Sequence, residues 1–468
     1  MQVAVLRSSL LAALPEAALT LLAALATLGC TWALAPGEPG PAVLAVVLCL
    51  SLSRSQLDRD LRGRIEAAIA LPLVSVAALG VAWLLHHLPL LGAVLFVLAL
   101  SASIWLRRFG SLGRKAGTLI ALPFVTLLIT PYVPPRHLVS RELALAMPVI
   151  VALLALFWVS VAHAVAQRLG KLPAPTTVKA VIEAPTPKAS QMRPMPSTRM
   201  AAQMGVALAL AFAVGHFFFE QHWAWVVLTA FIVNSGSQGR LDVAYKSGLR
   251  LLGAGAGTVI ALLLSHGLGG HDASTVALML AALFMGLWLR PLGYGWWALF
   301  ITLTLALLQG FEGATSISSE ALLGQRLLEI LIGAVIGVAA AWFVWPIQST
   351  DVLRRRMADA LAALAEATDP ATTDRKPDRF VALLAAVKKI APAFRAARLL
   401  GKPQAADWID ALLACEAPAV ALIEQRGTPR PVRKAIGGAR LALKTPETLA
   451  PALAELLKEL RELQTHPA

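Results

Sequence analysis

Residues 323–345 read LGQRLLEILIGAVIGVAAAWFVW. A helix that crosses a bilayer needs about 20 mostly apolar residues, and this run supplies them with only Arg326 and Glu329 as charges. Working back from it, similar runs lie near 200–219, 222–235, 249–267, 274–290 and 293–311, and a first set lies near 9–34, 41–53, 66–86, 88–106, 114–131 and 143–166. The sequence therefore predicts an all-α integral membrane protein. Composition agrees: 57% of the 468 residues are hydrophobic and 15% charged, against about 25% charged in soluble domains.

Charge predicts the orientation, because basic residues stay on the cytoplasmic side. With Arg7 inside, the successive inside segments carry Arg54, Arg59, Arg62 and Arg64, then Arg107, Arg108, Arg114 and Lys115. They continue with Arg168, Lys171, Lys179, Lys188, Arg193 and Arg199, then Arg240, Lys246 and Arg250, and end with Arg290. That places nineteen basic residues inside and three, Arg136, Arg141 and Arg326, outside. One missed helix would invert every later loop, so the split supports the helix count. It also accounts for the net charge of +14 without nucleic acid, for which no basic stripe interleaved with aromatics is present. Both termini are expected in the cytoplasm.

The N-terminal run resembles a signal peptide, with Ala33-Leu34-Ala35 as a cleavage-like site. Its length, Glu16 and Pro36 favour a retained first membrane helix. Residues 170–198 hold six prolines among Thr and Lys and read as an extended cytoplasmic linker. After Pro346 the pattern becomes amphipathic: Leu353, Met357, Leu361 and Leu364 recur around Arg354, Arg355 and Arg356, which predicts a soluble bundle of four or five helices. Cys30, Cys49 and Cys415 have no metal-ligand spacing and imply no disulfide framework. The expected domains are 1–169, a first transmembrane repeat; 170–198, the linker; 199–348, a second repeat; and 349–468, the cytoplasmic helical domain.

The two repeats are read from matches at an offset between 182 and 187. Ser55-Gln56 pairs with Ser237-Gln238, Leu57-Asp58 with Leu241-Asp242 and Arg64 with Arg250. Trp105-Leu106-Arg107 and Gly110 pair with Trp288-Leu289-Arg290 and Gly293, Arg141 with Arg326, and Trp158 with Trp345. An even helix count per copy makes the repeats parallel, and transporters built this way bind substrate at the repeat interface. The second run of each copy, 41–53 and 222–235, is short, and paired short runs point to a binding region. Ser51, Ser53, Asn234 and Ser235 stand at their inner ends, and Trp223 and Trp225 open the second one. The tryptophans also suit the interfacial aromatic belt.

The stretch His222-Trp223-Ala224-Trp225-Val226-Val227-Leu228-Thr229-Ala230 resembles the second-helix signature of the fusaric-acid-resistance family of aromatic acid exporters. Gln238, Lys246, Arg250, Gly253 and Gly257 continue the resemblance, as do Arg326, Glu329, Gly333, Gly337 and Trp345-Pro346. Residues 199–348 carry most of it. The first half lacks the Trp-x-Trp opening, and its Arg64 is followed by Glu66 with no glycine until Gly80. The resemblance implies inner-membrane export of small aromatic or amphipathic weak acids, driven by the proton gradient, with a periplasmic adaptor protein as a partner in Gram-negative relatives. Plant anion channels of the malate type look distantly similar in helix count and helical tail, and supply a passive organic-anion channel as the alternative.

Intramembrane ionisable residues are functional candidates. Glu16, beside Pro15, is a proton-coupling candidate, since a desolvated carboxyl binds protons more tightly; near an interface it would instead snorkel. Arg326 and Glu329 share a helix face. Arg326 suits an anionic substrate and Glu329 its counter-ion or a proton carrier, while a structural ion pair is the other reading. Trp223, Asn234, Ser235 and Ser53 complete the substrate-binding candidates. Arg64, Arg107, Arg250 and Arg290 stand at the inner mouth, where they attract anions or anchor topology. Gly253, Gly257, Gly333 and Gly337 are small residues for close helix packing. No nucleophile–base pair, metal motif or cofactor fingerprint is present, so no enzymatic activity, cofactor or metal is expected. Homo-oligomerisation is compatible with the sequence. A third class of reading is an envelope protein whose tail docks a partner.

Overall fold

The computed structural model describes residues 2–36, 38–55, 61–129, 141–170, 195–219, 222–265, 273–311, 319–372, 375–401, 404–425 and 430–465. The linker segment 171–194, the loop residues Arg59 and Arg136, and the repeat matches Gln56, Leu57 and Asp58 lie outside them. All regular structure among the described residues is helical. The chain divides into two units. One comprises Met1–Pro175, Pro194–Ser235 and Lys246–Trp345, and the other Thr176–Arg193, Gly236–Tyr245 and Pro346–Ala468.

The first unit is built from α1 (Gln2–Leu34), α2 (Pro39–Ser55), α3 (Leu61–His87), α4 (Pro89–Trp105), α5 (Gly110–Ile129) and α6 (Arg141–Arg168), followed by α7 (Pro196–Phe218), α8 (Trp223–Asn234), α9 (Arg240–Ser265), α10 (Ala273–Trp288), α11 (Tyr294–Phe311) and α12 (Ser319–Phe343). A helix thus stands on each apolar run of the sequence. Seven of them, among the described residues, are long and apolar enough to cross a membrane. Their surface is apolar as well: Leu90, Phe217 and Phe343 are each more than 80% exposed. Water would penalise such a surface, and lipid does not.

Among these twelve helices α8 is the shortest, at 12 residues, whereas α2 has 17, as α4 does, and α10 has 16. At 1.5 Å per residue α8 extends about 18 Å, well under the roughly 30 Å of a bilayer core. Two 3-10 turns, Leu106–Phe109 and Arg290–Leu292, follow α4 and α10. Each closes on a glycine with positive φ, Gly110 at 76° and Gly293 at 149°, where a Cβ would be strained. Interior prolines occur in α1, α3, α5 and α6 (Pro15, Pro72, Pro123 and Pro148). Each removes a helical hydrogen bond.

Among the described residues the second unit packs six helices: α13 (Ser349–Ala367), α14 (Asp378–Leu399), α15 (Gln404–Ala414), α16 (Glu416–Glu424), α17 (Arg430–Ala442) and α18 (Pro446–Thr465). The sequence pattern predicts four or five. The extra element arises at Cys415, where Pro418 sits in the first turn of α16 and cannot donate back to residue 414. The core gathers Leu353, Met357, Phe380, Ile409, Leu453 and Leu456, all fully buried. The segment Gly236–Tyr245 belongs to this unit. Arg240 N donates to Ile347 O at 3.2 Å and Leu241 N to Ser349 Oγ at 2.9 Å. Arg356 donates to Gln238 Oε1, and Leu241 packs on the core.

Candidate functional site

Among the described residues, three Lys, Arg, Asp or Glu side chains are buried: Arg250, Arg326 and Glu329. All three lie in the apolar unit. Arg326 and Glu329 leave α12 one turn apart, on the face that continues as Gly333 and Gly337. A Cβ on Gly333 would come within 2.5 Å of Val226 O and 2.8 Å of Thr229 Cβ; one on Gly337 would come within 2.8 Å of Asn234 Nδ2. The missing side chains let α12 lie directly on α8, and that contact carries both charges inward.

On α8 the residue that receives them is Trp225. The Arg326 guanidinium carbon stands 4.0 Å from the Trp225 ring centroid, well inside the range of a cation–π contact. Arg250 approaches from α9, close enough that its charge and that of Glu329 both act on Arg326. Glu329 Oε1, Arg250 Nε and Thr229 Oγ1 have no hydrogen-bond partner among the described residues. Buried polar atoms are nearly always paired, so these three mark a place equipped for a further polar group. The three charged side chains sum to one positive charge in a medium where an uncompensated charge is costly. At the rim, Gln325 Nε2 lies 3.4 Å from His222 Nδ1.

The close α9–α11 approach is also made by glycine: a Cβ on Gly253 would meet Gly295 O at 2.6 Å, and one on Gly257 would meet the backbone of Leu299. This fixes the helix that bears Arg250. The position of Arg250, ten residues into α9 and 2% exposed, differs from the helix-end placement expected for it. A helix that starts at Arg240 with Asp242, Lys246 and Arg250 on successive turns extends its polar stripe well into the apolar unit. Arg64 and Arg107 are half-buried, and Arg290 is exposed.

Trp223 does not face Arg326. Its ring stacks on His216 at 4.9 Å and on Phe212 at 5.2 Å, holding α8 to α7. Asn234 donates to Ala230 O at 3.0 Å, and Ser235 O accepts from Lys246 Nζ at 2.6 Å; both close the end of α8. Ser53 hydrogen-bonds Thr20 at 2.6 Å and lines a crevice with Glu16 and Arg290, apart from the Arg326 cluster. Sequence reasoning passed over Trp225 and the depth of Arg250. The available signal was the run Arg326, Glu329, Gly333, Gly337, whose spacing puts charge and small residues on one stripe facing one partner helix.

Comparison with known proteins bears on this cluster. Residues 206–340 match the fusaric acid resistance protein-like family. The match runs from α7 into α12 and contains Trp225, Arg250, Arg326 and Glu329. The chain is also similar to the uncharacterized protein YhfK of Escherichia coli (strain K12), 26% identical over 180 residues. That similarity covers 37% of this chain and 24% of the length of that protein. No solved structure matches. Together with the long apolar helices, the family match identifies a multi-pass membrane protein.

Proposed function

We propose that the protein is a secondary transporter that exports small aromatic carboxylic acids, or related amphipathic toxic compounds, across a bacterial inner membrane. The observation that carries this reading is the buried group of Arg326 on Trp225 with Arg250 and Glu329. A carboxylate needs compensating donors, which the guanidinium groups supply. An aromatic ring needs apolar and π surface, which Trp225 and the α8–α12 seam supply. A monoanion neutralises the net positive charge of the cluster.

Glu329 is then the resting counter-ion of Arg326. In the empty site Glu329 takes up a proton at the outer side, where burial favours the neutral acid, and releases it inside before substrate binds, so that proton entry and anion exit occur in opposite half-cycles. Glu16, on the crevice side, is the second proton-coupling candidate. The proton gradient drives export partly through its electrical component, which favours exit of an anion from a negative interior. The basic loops support an orientation with both termini in the cytoplasm. The parallel order of α1–α6 and α7–α12, with matching 3-10 turns, supports a duplicated membrane region, and the buried cluster lies on α8, α9 and α12 of its second half. A periplasmic adaptor and a homo-oligomer are further proposed partners.

A passive organic-anion channel gated by the helical domain is the second reading. It draws on α9, whose first turn is built into the helical unit while Arg250 lies further along the same helix. The two differ in energetics. A transporter concentrates a labelled hydroxybenzoate in inside-out vesicles and loses the gradient with a protonophore, and a channel only equilibrates it.

A further inference from the structure

The helices α1 and α10 meet along a seam that stays partly open. At one point Trp288 Nε1 donates to Leu10 O at 3.0 Å. Beside it lies a crevice of about 310 Å³, walled by Ala13, Ala17, Leu287 and Pro291 and carrying Glu16 and Arg290. That volume is at the lower end of small-molecule sites and suits a single-ring acid.

The seam between α7 and α4 has the corresponding place in the other half, and it is closed. Phe96 and Phe212 meet edge to face at 5.4 Å, and Gly205 brings Ser101 Oγ within 3.0 Å of where a Cβ would stand. No Asp or Glu occurs in α7. An opening and a carboxylate thus occur together, on one side only. Arg290 is presented by a 3-10 turn stiffened by Pro291, and its charge interacts with that of Glu16. Both side chains line the open crevice, and a pair screened by water in such an opening is worth only a few-fold in an equilibrium constant, so a second carboxylate can compete. Thr20 Oγ1 donates to Glu16 O at 2.8 Å and meets Ser53 Oγ at 2.6 Å. The Ser53 contact ties α2 to α1 one turn after Glu16.

We propose that this crevice is a second carboxylate-binding site, in which the carboxylate of a small aromatic acid binds Arg290 in competition with Glu16 and its ring lies against Leu287 and Pro291. The identity of the ligand rests on the transport reading; the site itself does not depend on the Arg326 cluster.

The test is equilibrium binding of labelled 4-hydroxybenzoate to the full-length protein in neutral-lipid nanodiscs. The wild type binds at two sites. Arg290→Gln removes one of them, and Arg290→Lys, which keeps the charge, retains it. Glu16→Gln removes the competing carboxylate and tightens that site about two- to fivefold. A purely structural ion pair would give no tightening, so weaker or unchanged binding in Glu16→Gln overturns the proposal. So does displacement of the Arg290-dependent label by inorganic phosphate or anionic lipid but not by benzoate. Binding that depends on Arg326 alone overturns the crevice and leaves the transport reading standing. Binding that depends on Arg290 alone supports the crevice and removes the central site, and no binding at either refutes both.

Discussion

Replacing Arg326 by Gln removes one member of a buried charged group, and two separate losses follow. The first concerns stability. Glu329, 1% exposed, loses the charge of Arg326 that acts on it, and leaving a buried carboxylate without that cation costs about 3 kcal/mol. The stacked contact with Trp225 at 4.0 Å adds about 2 kcal/mol in a desolvated setting. The single variant therefore yields little monodisperse protein. The second concerns function. A charge-assisted hydrogen bond to substrate carboxylate is worth about 1.5–3 kcal/mol, or roughly ten- to a hundredfold in affinity. Combining Arg326→Gln with Glu329→Gln separates the two. It leaves no unpaired carboxylate, although Arg250 stays as a buried cation, so part of the stability returns, measured as thermal unfolding in detergent against the wild type. Binding of labelled hydroxybenzoate to the central site stays lost. A double variant that is as unstable as the single one would refute the pairing argument. One that folds and binds at that site like the wild type would refute the assignment of Arg326 to substrate.

Further outcomes follow from the same geometry. Trp225→Leu lowers substrate affinity about tenfold through loss of a buried ring contact, whereas Trp223→Leu chiefly loosens α8 from α7 and lowers melting temperature; paired binding and unfolding curves separate them. Gly333→Val drives a side chain into Val226 O and Thr229, and overpacking of this kind costs about 1–3 kcal/mol, read as reduced yield of folded protein. In the helical unit, burial pushes the Cys415 thiol up to about 12 from its ordinary value near 9. Alkylation at pH 8 is therefore slow in the native protein and fast in denaturant. A raised folded-state value makes the thiol stabilising below about pH 9, and that contribution is lost as pH rises toward 12, by about 1.4 kcal/mol per unit. Comparing the wild type with Cys415→Ala between pH 8 and 10.5 reads the difference.

Much of the membrane architecture was legible because lipid imposes a simple rule. An element that crosses it must satisfy its own backbone and present apolar side chains, so runs such as 323–345 declare themselves. The short α8 was visible for the same reason. The site was only partly legible. Arg326 and Glu329 stood out as charges in an apolar run, and the glycines after them gave the face. Periodicity in one helix cannot say which residue of the next helix it meets, so Trp223 and Trp225 were indistinguishable until α12 was laid on α8. For Arg250, a basic residue near a helix end, the sequence allows both anion attraction at the inner mouth and topology anchoring. Its burial depends on where α9 begins, and the glycine contacts with α11 that set its depth are tertiary. In the helical unit, one proline near Cys415 divided what the amphipathic pattern joined.

The central claim is coupled transport through the buried arginine cluster. Uptake of labelled 4-hydroxybenzoate into inside-out vesicles containing the full-length protein, with and without a protonophore, tests it most directly. The account predicts accumulation above the outside concentration that collapses with the protonophore and is missing from the Arg326→Gln, Glu329→Gln double variant. Flux that never exceeds equilibration, ignores the protonophore and survives in that variant would contradict it.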